Sequence, residues 1–310
     1  MATLKETKAR IASVRSTLKI TSAMKLVASA KLRKAQQAAE NCAAYERELA
    51  AILDAISVSG FAPLEGSSVR TGDGFGQADG GHGQADGGSE RFDAPAPKVA
   101  VVALSSNSSL CGGFNNNVIK KARSVVDEIG AEGVVLFAIG RKIADSFAKT
   151  GLKSVRDYTE LSAHPTYSEA AALADELVDG YKSGRFSKVI LVWNHLVSTA
   201  SQKPLVETYL PFEVQSSEQS RSVDDLLADY LIEPGLRELY SELLPKTLRL
   251  RIYSLLLDSA AAEHAARTVA MQTATDNGNE LLEELTLEYN KGRQAKITAE
   301  ILDLAGGQQE

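Results

Sequence analysis

The residues that could do chemistry here are one cysteine in a glycine-rich turn, four histidines, and a glycine–aspartate repeat. The turn reads Ser105-Ser-Asn-Ser-Ser-Leu-Cys111-Gly-Gly-Phe114 and follows an apolar run. A glycine-rich turn feeding a helix can hold an anion on its free backbone N–H groups. This one is neither GxGxxG nor GxxxxGK[ST], and no lysine stands in the P-loop place. A tight strand-to-helix turn with serine and asparagine caps accounts for it. Cys111 would need a base beside it to act as a nucleophile. The nearest histidine in sequence is His82, in a glycine-rich stretch, and His164, His195 and His264 fall in three different predicted elements. His195 ends a predicted strand and reads as a structural histidine; His264 reads as a surface residue of a long helix. Gly76-Gln-Ala-Asp-Gly-Gly and Gly83-Gln-Ala-Asp-Gly-Gly have the composition of calcium-binding nonapeptides. Their period is seven, however, and the apolar position is missing. Cys42 and Cys111 are the only cysteines and make no metal motif, which points to a reducing compartment. No catalytic residues, cofactor or metal are expected.

The elements around these residues say more. Residues 3–58 contain no proline and no glycine and predict one helix, within an N-terminal region 1–60. A second long helix is predicted from Pro245 to Gly306, within a C-terminal region 236–310. Pro245 suits a first helical turn, and the Gly306-Gly307 pair suits a stop. At 1.5 Å per residue the two helices span roughly 80 and 90 Å, against about 8–20 residues for an ordinary globular helix. Helices of this length need a partner along them. Apolar steps of three and four support a close coiled coil. On the first helix they run Ile11, Val14, Leu18, then Ile20, Met24, Val27, and later Leu49, Ile52 (or Leu53), Ile56. On the last they run Ile252, Leu255, Ser259, Ala262, Ala266, Val269, Thr273, then Leu281 (or Leu282), Leu285, Tyr289, Gly292. The heptads are impure, so the pair should touch something else as well.

Between the helices the composition changes twice. Residues 61–97 are glycine-rich, polar and end in prolines; they predict a flexible insert. From Lys98 strands and helices alternate. Strands are predicted at 98–104, 134–140, 188–196 and 205–214, the last at a sheet edge because of Pro211. Helices are predicted at 114–129, 141–150 and 167–183. A Rossmann-like α/β domain, 98–235, is therefore inserted into the turn of a helical hairpin. The expected fold class is α/β plus a long antiparallel coiled coil.

No apolar run reaches the ~18 residues of a membrane span. Met1 leads directly into a charged helix, so no secretory leader is expected. The basic start resembles a transit peptide, but its pattern continues as structural periodicity past residue 30. Net charge is -6, yet up to Lys34 the only acid is Glu6, against nine lysines and arginines. Residues 276–288 are acidic instead. Three readings stand: the two sets pair or face water, the basic belt meets an acidic protein surface, or it meets nucleic acid. No aromatic precedes Tyr45, which counts against base stacking.

Three stretches carry a resemblance. The first is Arg10-Ile-Ala-Ser-Val-Arg with Lys19-Ile-Thr-Ser-Ala-Met24-Lys25-Leu-Val-Ala-Ser-Ala-Lys31-Leu-Arg-Lys. The second is Leu110-Cys-Gly-Gly-Phe-Asn115. The third runs from Ser259 through Glu263-His-Ala-Ala-Arg267-Thr-Val-Ala-Met271-Gln-Thr-Ala-Thr-Asp276-Asn to Tyr289-Asn-Lys-Gly-Arg293-Gln294-Ala-Lys-Ile-Thr298-Ala-Glu-Ile-Leu-Asp303. Together they resemble the gamma subunit of F-type rotary ATP synthases over nearly the whole chain. The chain departs from the family's Ser-Asp-Arg/Lys-Gly with Ser106-Asn-Ser-Ser109, ends in Gln308-Gln-Glu310, and carries the unusual 61–97 insert.

The resemblance implies a non-catalytic central-stalk rotor of a proton-translocating ATP synthase. Its implied partners are the alpha and beta subunits, the epsilon subunit and the c-ring, with no nucleic acid and with the membrane reached only through partners. It implies the cytoplasmic face of a bacterial inner membrane. By match to the motif, Arg293 and Gln294 would hydrogen-bond a loop of the empty-site beta subunit, with Thr298 in the same stretch. Met24, Lys25 and Arg267 would fall where the shaft meets the acidic lever of beta and its own helix pair. Tyr230–Pro234 resembles the segment near the c-ring. Two other classes remain: a coiled-coil scaffold with a sensor domain, and an α/β enzyme with helical arms.

Overall fold

A computed structural model describes residues 4–58, 97–212, 233 and 235–306. The insert expected at 61–97 (save Pro97), His82, the segment Tyr230–Pro234 (save Glu233) and the tail 308–310 lie outside the described residues. Helix α1 runs Leu4–Val58. The α/β domain follows as β1 (Lys98–Leu104), α2 (Phe114–Ile129), β2 (Val134–Ile139), α3 (Arg141–Ala148), α4 (Thr159–Ala163), α5 (Tyr167–Lys182), β3 (Phe186–Leu196) and β4 (Gln202–Leu210). Helix α6 runs Leu236–Gly306.

α1 and α6 lie antiparallel with one register from end to end. Gly292 lies beside Leu4 and Gly278 beside Leu18, Thr275 Oγ1 bonds Thr21 Oγ1 at 3.0 Å, and Arg251 bonds Glu46 at 2.7 Å. Starting at Leu4 and stepping alternately by three and four to Ile56, every α1 position is buried or half-buried. The same steps from Tyr240 to Gly292 give the facing seam of α6. A strict seven-residue repeat held this long imposes a left-handed supercoil on helices whose natural period is 3.6. Close approach demands the glycines: a Cβ on Gly278 would lie 2.7 Å from Leu18 Cδ2.

The sequence-based stripes were partly misaligned. Ile11, Val14, Leu18, Leu49 and Ile56 lie in the seam, with Leu53 rather than Ile52 between the last two, but Ile20 and Val27 are 58% and 57% exposed. Ala28 and Leu32 take the seam instead. On α6 the stripe Ile252, Leu255, Ala262, Ala266 belongs to the opposite face, which packs on the α/β domain. α6 carries two apolar faces along this stretch, and the impure heptads reflect that. α6 also begins nine residues before Pro245, which sits inside the helix. Leu243 packs with Cys42, Leu49, Leu250 and Leu257, and this burial offsets the ~3 kcal/mol that proline costs a helix interior.

The sheet order is β2-β1-β3-β4, with β1 parallel to β2 and β3, and β4 antiparallel to β3. β4 is the edge strand, as expected, but spans 202–210 rather than 205–214. A tight connection closed by Val197 N–H to Ser201 O starts it early, and Pro211 ends the ladder. One sheet face packs on α2 and α3 through Val101, Ala103, Val118, Ile143 and Phe147. The other packs on α5 and α6 through Val102, Phe137, Leu177, Leu191, Leu248, Ile252 and Leu255. α6 is thus at once half of the coiled coil and a layer of the α/β domain.

Candidate coupling surface

In an open α/β sheet a ligand would enter at the C-terminal ends of the parallel strands, where the connections diverge. Here α6 fills that place. Cys111 and Phe114 pack on Ala262 and Ala266, and Asn194 Nδ2 donates to Phe114 O at 2.9 Å. The cavity left between Ser105, Ser162 and Glu263 is about 10 Å³, room for one water at most. The turn is knotted on itself. Asn115 Oδ1 accepts from Ser106 N–H at 3.0 Å, and Asn115 Nδ2 reaches Ser106 Oγ and Ser108 O. The expected side-chain caps are absent: Gly113 caps α2 without a side-chain bond, and Asn115 acts from inside the helix. Cys111 is 1% exposed, with Asn115 Nδ2 3.2 Å from its sulfur, so it is a core residue. Gly140 lets this turn close: its φ is +99°, and a Cβ there would lie 2.1 Å from Ser105 O.

Arg267 seals the turn. It is 9% exposed and donates to Ser109 O at 2.7 Å, Ser108 Oγ at 2.9 Å and Glu263 at 2.6 Å. The serines that depart from the family pattern therefore receive this arginine. His264, expected at the surface, lies half-buried in the seam, and among the described residues its Nδ1 is buried with no partner. Burial pushes its pKa below the usual histidine value; Glu263 opposes this, while Lys31 and Arg267 reinforce it.

The six residues singled out in the sequence fall at three levels. Met24 and Lys25 are half-buried at mid-shaft, Lys25 in the seam at the level of Met271. Arg267 lies one turn away and is internal. Arg293, Gln294 and Thr298 are exposed about 39 Å further along α6. From Arg293 to Leu302 every residue is exposed, including Ile297, Ile301 and Leu302. Thr298 Oγ1 donates to Gln294 O at 2.9 Å, and Arg293 has no ion pair among the described residues. The basic residues of α1 up to Lys34 are exposed save Lys25. The register sets them beside the acidic run 276–288, yet among the described residues no ion pair joins the two sets. Both sets are exposed, save Lys25.

Sequence reasoning missed a second polar cluster. Arg251 donates to Glu207 of β4 through two bonds and to Glu46 of α1 through one, and its guanidinium lies 5.9 Å from the Trp193 ring. Although burial opposes its charge, Glu207 and Glu46 hold its pKa above the ordinary arginine value. Asp258 accepts from Trp193 Nε1 at 3.0 Å, from Leu196 N–H at 3.1 Å and lies 2.8 Å from His195 Nδ1. The available signal was Arg251 and Asp258, seven residues apart inside the apolar run 250–262. His195 is satisfied, as expected.

These features define an elongated two-helix shaft, bare at one end, with an α/β domain fixed to its side. A family model described as ATP synthase matches residues 3–309. The chain is 44% identical over 310 residues to the ATP synthase gamma chain of Phocaeicola vulgatus, covering 99% of both chains. It is 39% identical to that of Flavobacterium johnsoniae, covering 99% of this chain and 98% of the relative. The chain belongs to the ATP synthase gamma chain family. A chain of the Euglena gracilis mitochondrial ATP synthase, in a structure of its OSCP, F1 and c-ring, shares the fold at a TM-score of 0.57 and 16% identity, over 98% and 93% of the two chains. A central-stalk and c-ring structure from Tetrahymena thermophila matches at 0.52 and 18% identity, over 82% and 99%. Among the described residues no helix is long and apolar enough to cross a membrane.

Proposed function

We propose that this chain is the central-stalk rotor of a proton-translocating ATP synthase, non-catalytic itself, that couples c-ring rotation to the beta-subunit sites. The observation that carries this is full-length membership in the gamma chain family, on a fold whose bare helical tip extends past its partner helix. Alpha and beta subunits would surround the upper shaft. The α/β domain would rest on the c-ring with the epsilon subunit alongside, at the cytoplasmic face of a bacterial inner membrane. Residues 1–60 and 236–310 would serve as shaft, 98–235 as foot, and 61–97 as an added insert. The geometry suits the task. A rotor needs stiffness, which the continuous heptad seam supplies. It needs side chains exposed to successive partners, and Arg293, Gln294 and Thr298 are exposed at the tip. Arginine meets carboxylates through a two-pronged fork. The exposed basic face of α1 beside Met24 and Lys25 supplies charge for an acidic lever of beta. Arg267 acts within the rotor, tying the shaft to the α/β domain at the level where beta would press.

The test is ATP hydrolysis by reconstituted alpha and beta subunits with and without this chain. Stimulated steady turnover with the chain in a stoichiometric complex is expected. No association would return the chain to the scaffold class, and hydrolysis by the chain alone would make it an enzyme.

A further inference from the structure

Arg251 and Asp258 stand one heptad apart on α6, about 10 Å along its axis. Asp258 bonds β3 and Arg251 bonds β4, and both hold the chain's one tryptophan, on β3. Trp193 is 4% exposed; its Nε1 donates to Asp258 Oδ2 while the Arg251 guanidinium lies against its ring. Asp258 also accepts the Leu196 N–H. Arg251 adds Glu207 of β4 and Glu46 of α1, so one side chain joins the sheet to both helices of the shaft.

We infer that Arg251 and Asp258 are the positioning residues through which torque passes between the α/β domain and the shaft. The inference rests on the rotor reading above. Torque between these parts is a rotation about the α6 axis. The apolar contacts of Leu248, Ile252 and Leu255 with the sheet hold the two together, but hydrophobic attraction has no direction. It opposes separation much more than rolling. Charge-assisted bonds with fixed geometry oppose rolling. Two of them at different heights also prevent the helix from pivoting about either one. Because Arg251 holds Glu46 too, α1 cannot slip past α6 when the sheet turns.

The experiment uses the whole ATP synthase assembled with this chain in sealed vesicles. Arg251→Lys keeps the charge and loses the fork; Asp258→Asn keeps the size and loses the carboxylate. Rotor content, hydrolysis in uncoupled vesicles, proton uptake per ATP hydrolysed, and Trp193 emission of the full chain are measured. Both variants are expected to assemble normally and hydrolyse at the wild-type rate without a gradient. Proton uptake per ATP should fall roughly two-fold or more, as one directional contact of about tenfold in population is lost, and Trp193 emission should shift to the red. A purely structural role would lower rotor content and leave the ratio unchanged. An unchanged ratio at normal rotor content, with the emission shifted, overturns the inference. If either variant fails to assemble, Glu46→Gln, which removes only the α1 limb, decides by the same ratio. Failure of the wild-type chain to support any coupled pumping would instead refute the rotor reading.

Discussion

The seam at Gly278 offers a perturbation whose sign depends on one neighbour. Alanine in place of glycine normally stabilises a helix interior by about 1 kcal/mol. Here the new Cβ would lie 2.7 Å from Leu18 Cδ2 and 3.3 Å from Leu18 Cγ. The first contact is relieved by turning a methyl. The second requires the helices to part, and overpacking of this kind costs about 1–3 kcal/mol. Gly278→Ala should therefore be neutral to about 2 kcal/mol destabilising. In a Leu18→Ala background both obstructing atoms are gone, and the same change should stabilise by about 1 kcal/mol. The double-mutant cycle should give an interaction of about 1–3 kcal/mol. Urea unfolding of the four full-length chains, followed by helical circular dichroism at matched slopes, reads it. Equal stabilisation by Gly278→Ala in both backgrounds would show that Gly278 does not face Leu18, and the register built on it would fail.

Arg293→Ala should slow turnover or loosen coupling without blocking assembly. One charged contact is worth about 1.5–3 kcal/mol, whereas switching a site from 1:99 to 99:1 takes about 5.5 kcal/mol. Wild-type hydrolysis and coupling in that variant would refute a tip contact. Arg267→Met should cost about 3–5 kcal/mol, because Glu263 and the Ser108–Ser109 turn lose a buried partner; thermal melting and protease sensitivity of residues 105–113 measure it. His264 carries a pH dependence of known sign. Its folded-state pKa lies below the unfolded value of about 6.5. The unfolded chain therefore gains a proton first as pH falls, and stability is complete above that value and is lost below it. The melting temperature of His264→Leu should move above that of wild type as pH drops from 8 to 5.5; a pH-independent difference would exclude His264 from the acid response.

Local rules made the two long helices, the succession of strands and longer helices along the chain, and the edge position of β4 legible in the sequence. The absence of proline and glycine, β-branched runs and Pro211 all act within a few residues. The α6 faces were not legible, because one helix satisfies two partners and each partner selects a different stripe. Leu285 and Tyr289 were assigned correctly where α6 has only α1 beside it, with Leu282 rather than Leu281 taking the seam position between them and Gly278, and Ile252 and Ala262 incorrectly where the sheet competes. Pro245 misled for the same reason, since tertiary packing outweighed a local rule. Of the site, the tip residues and Arg267 were reached through the family motif. Arg251, Asp258 and Glu46 were not, since a buried charge network shows only when α1, β3, β4 and α6 meet.

The most direct test is to watch the chain turn. With the alpha and beta subunits fixed to a surface and a bead attached to the α/β domain of this chain, ATP should drive continued rotation in one direction, stopping when ATP is removed. Hydrolysis by the same complex with the bead stationary or wandering at random would contradict a rotor.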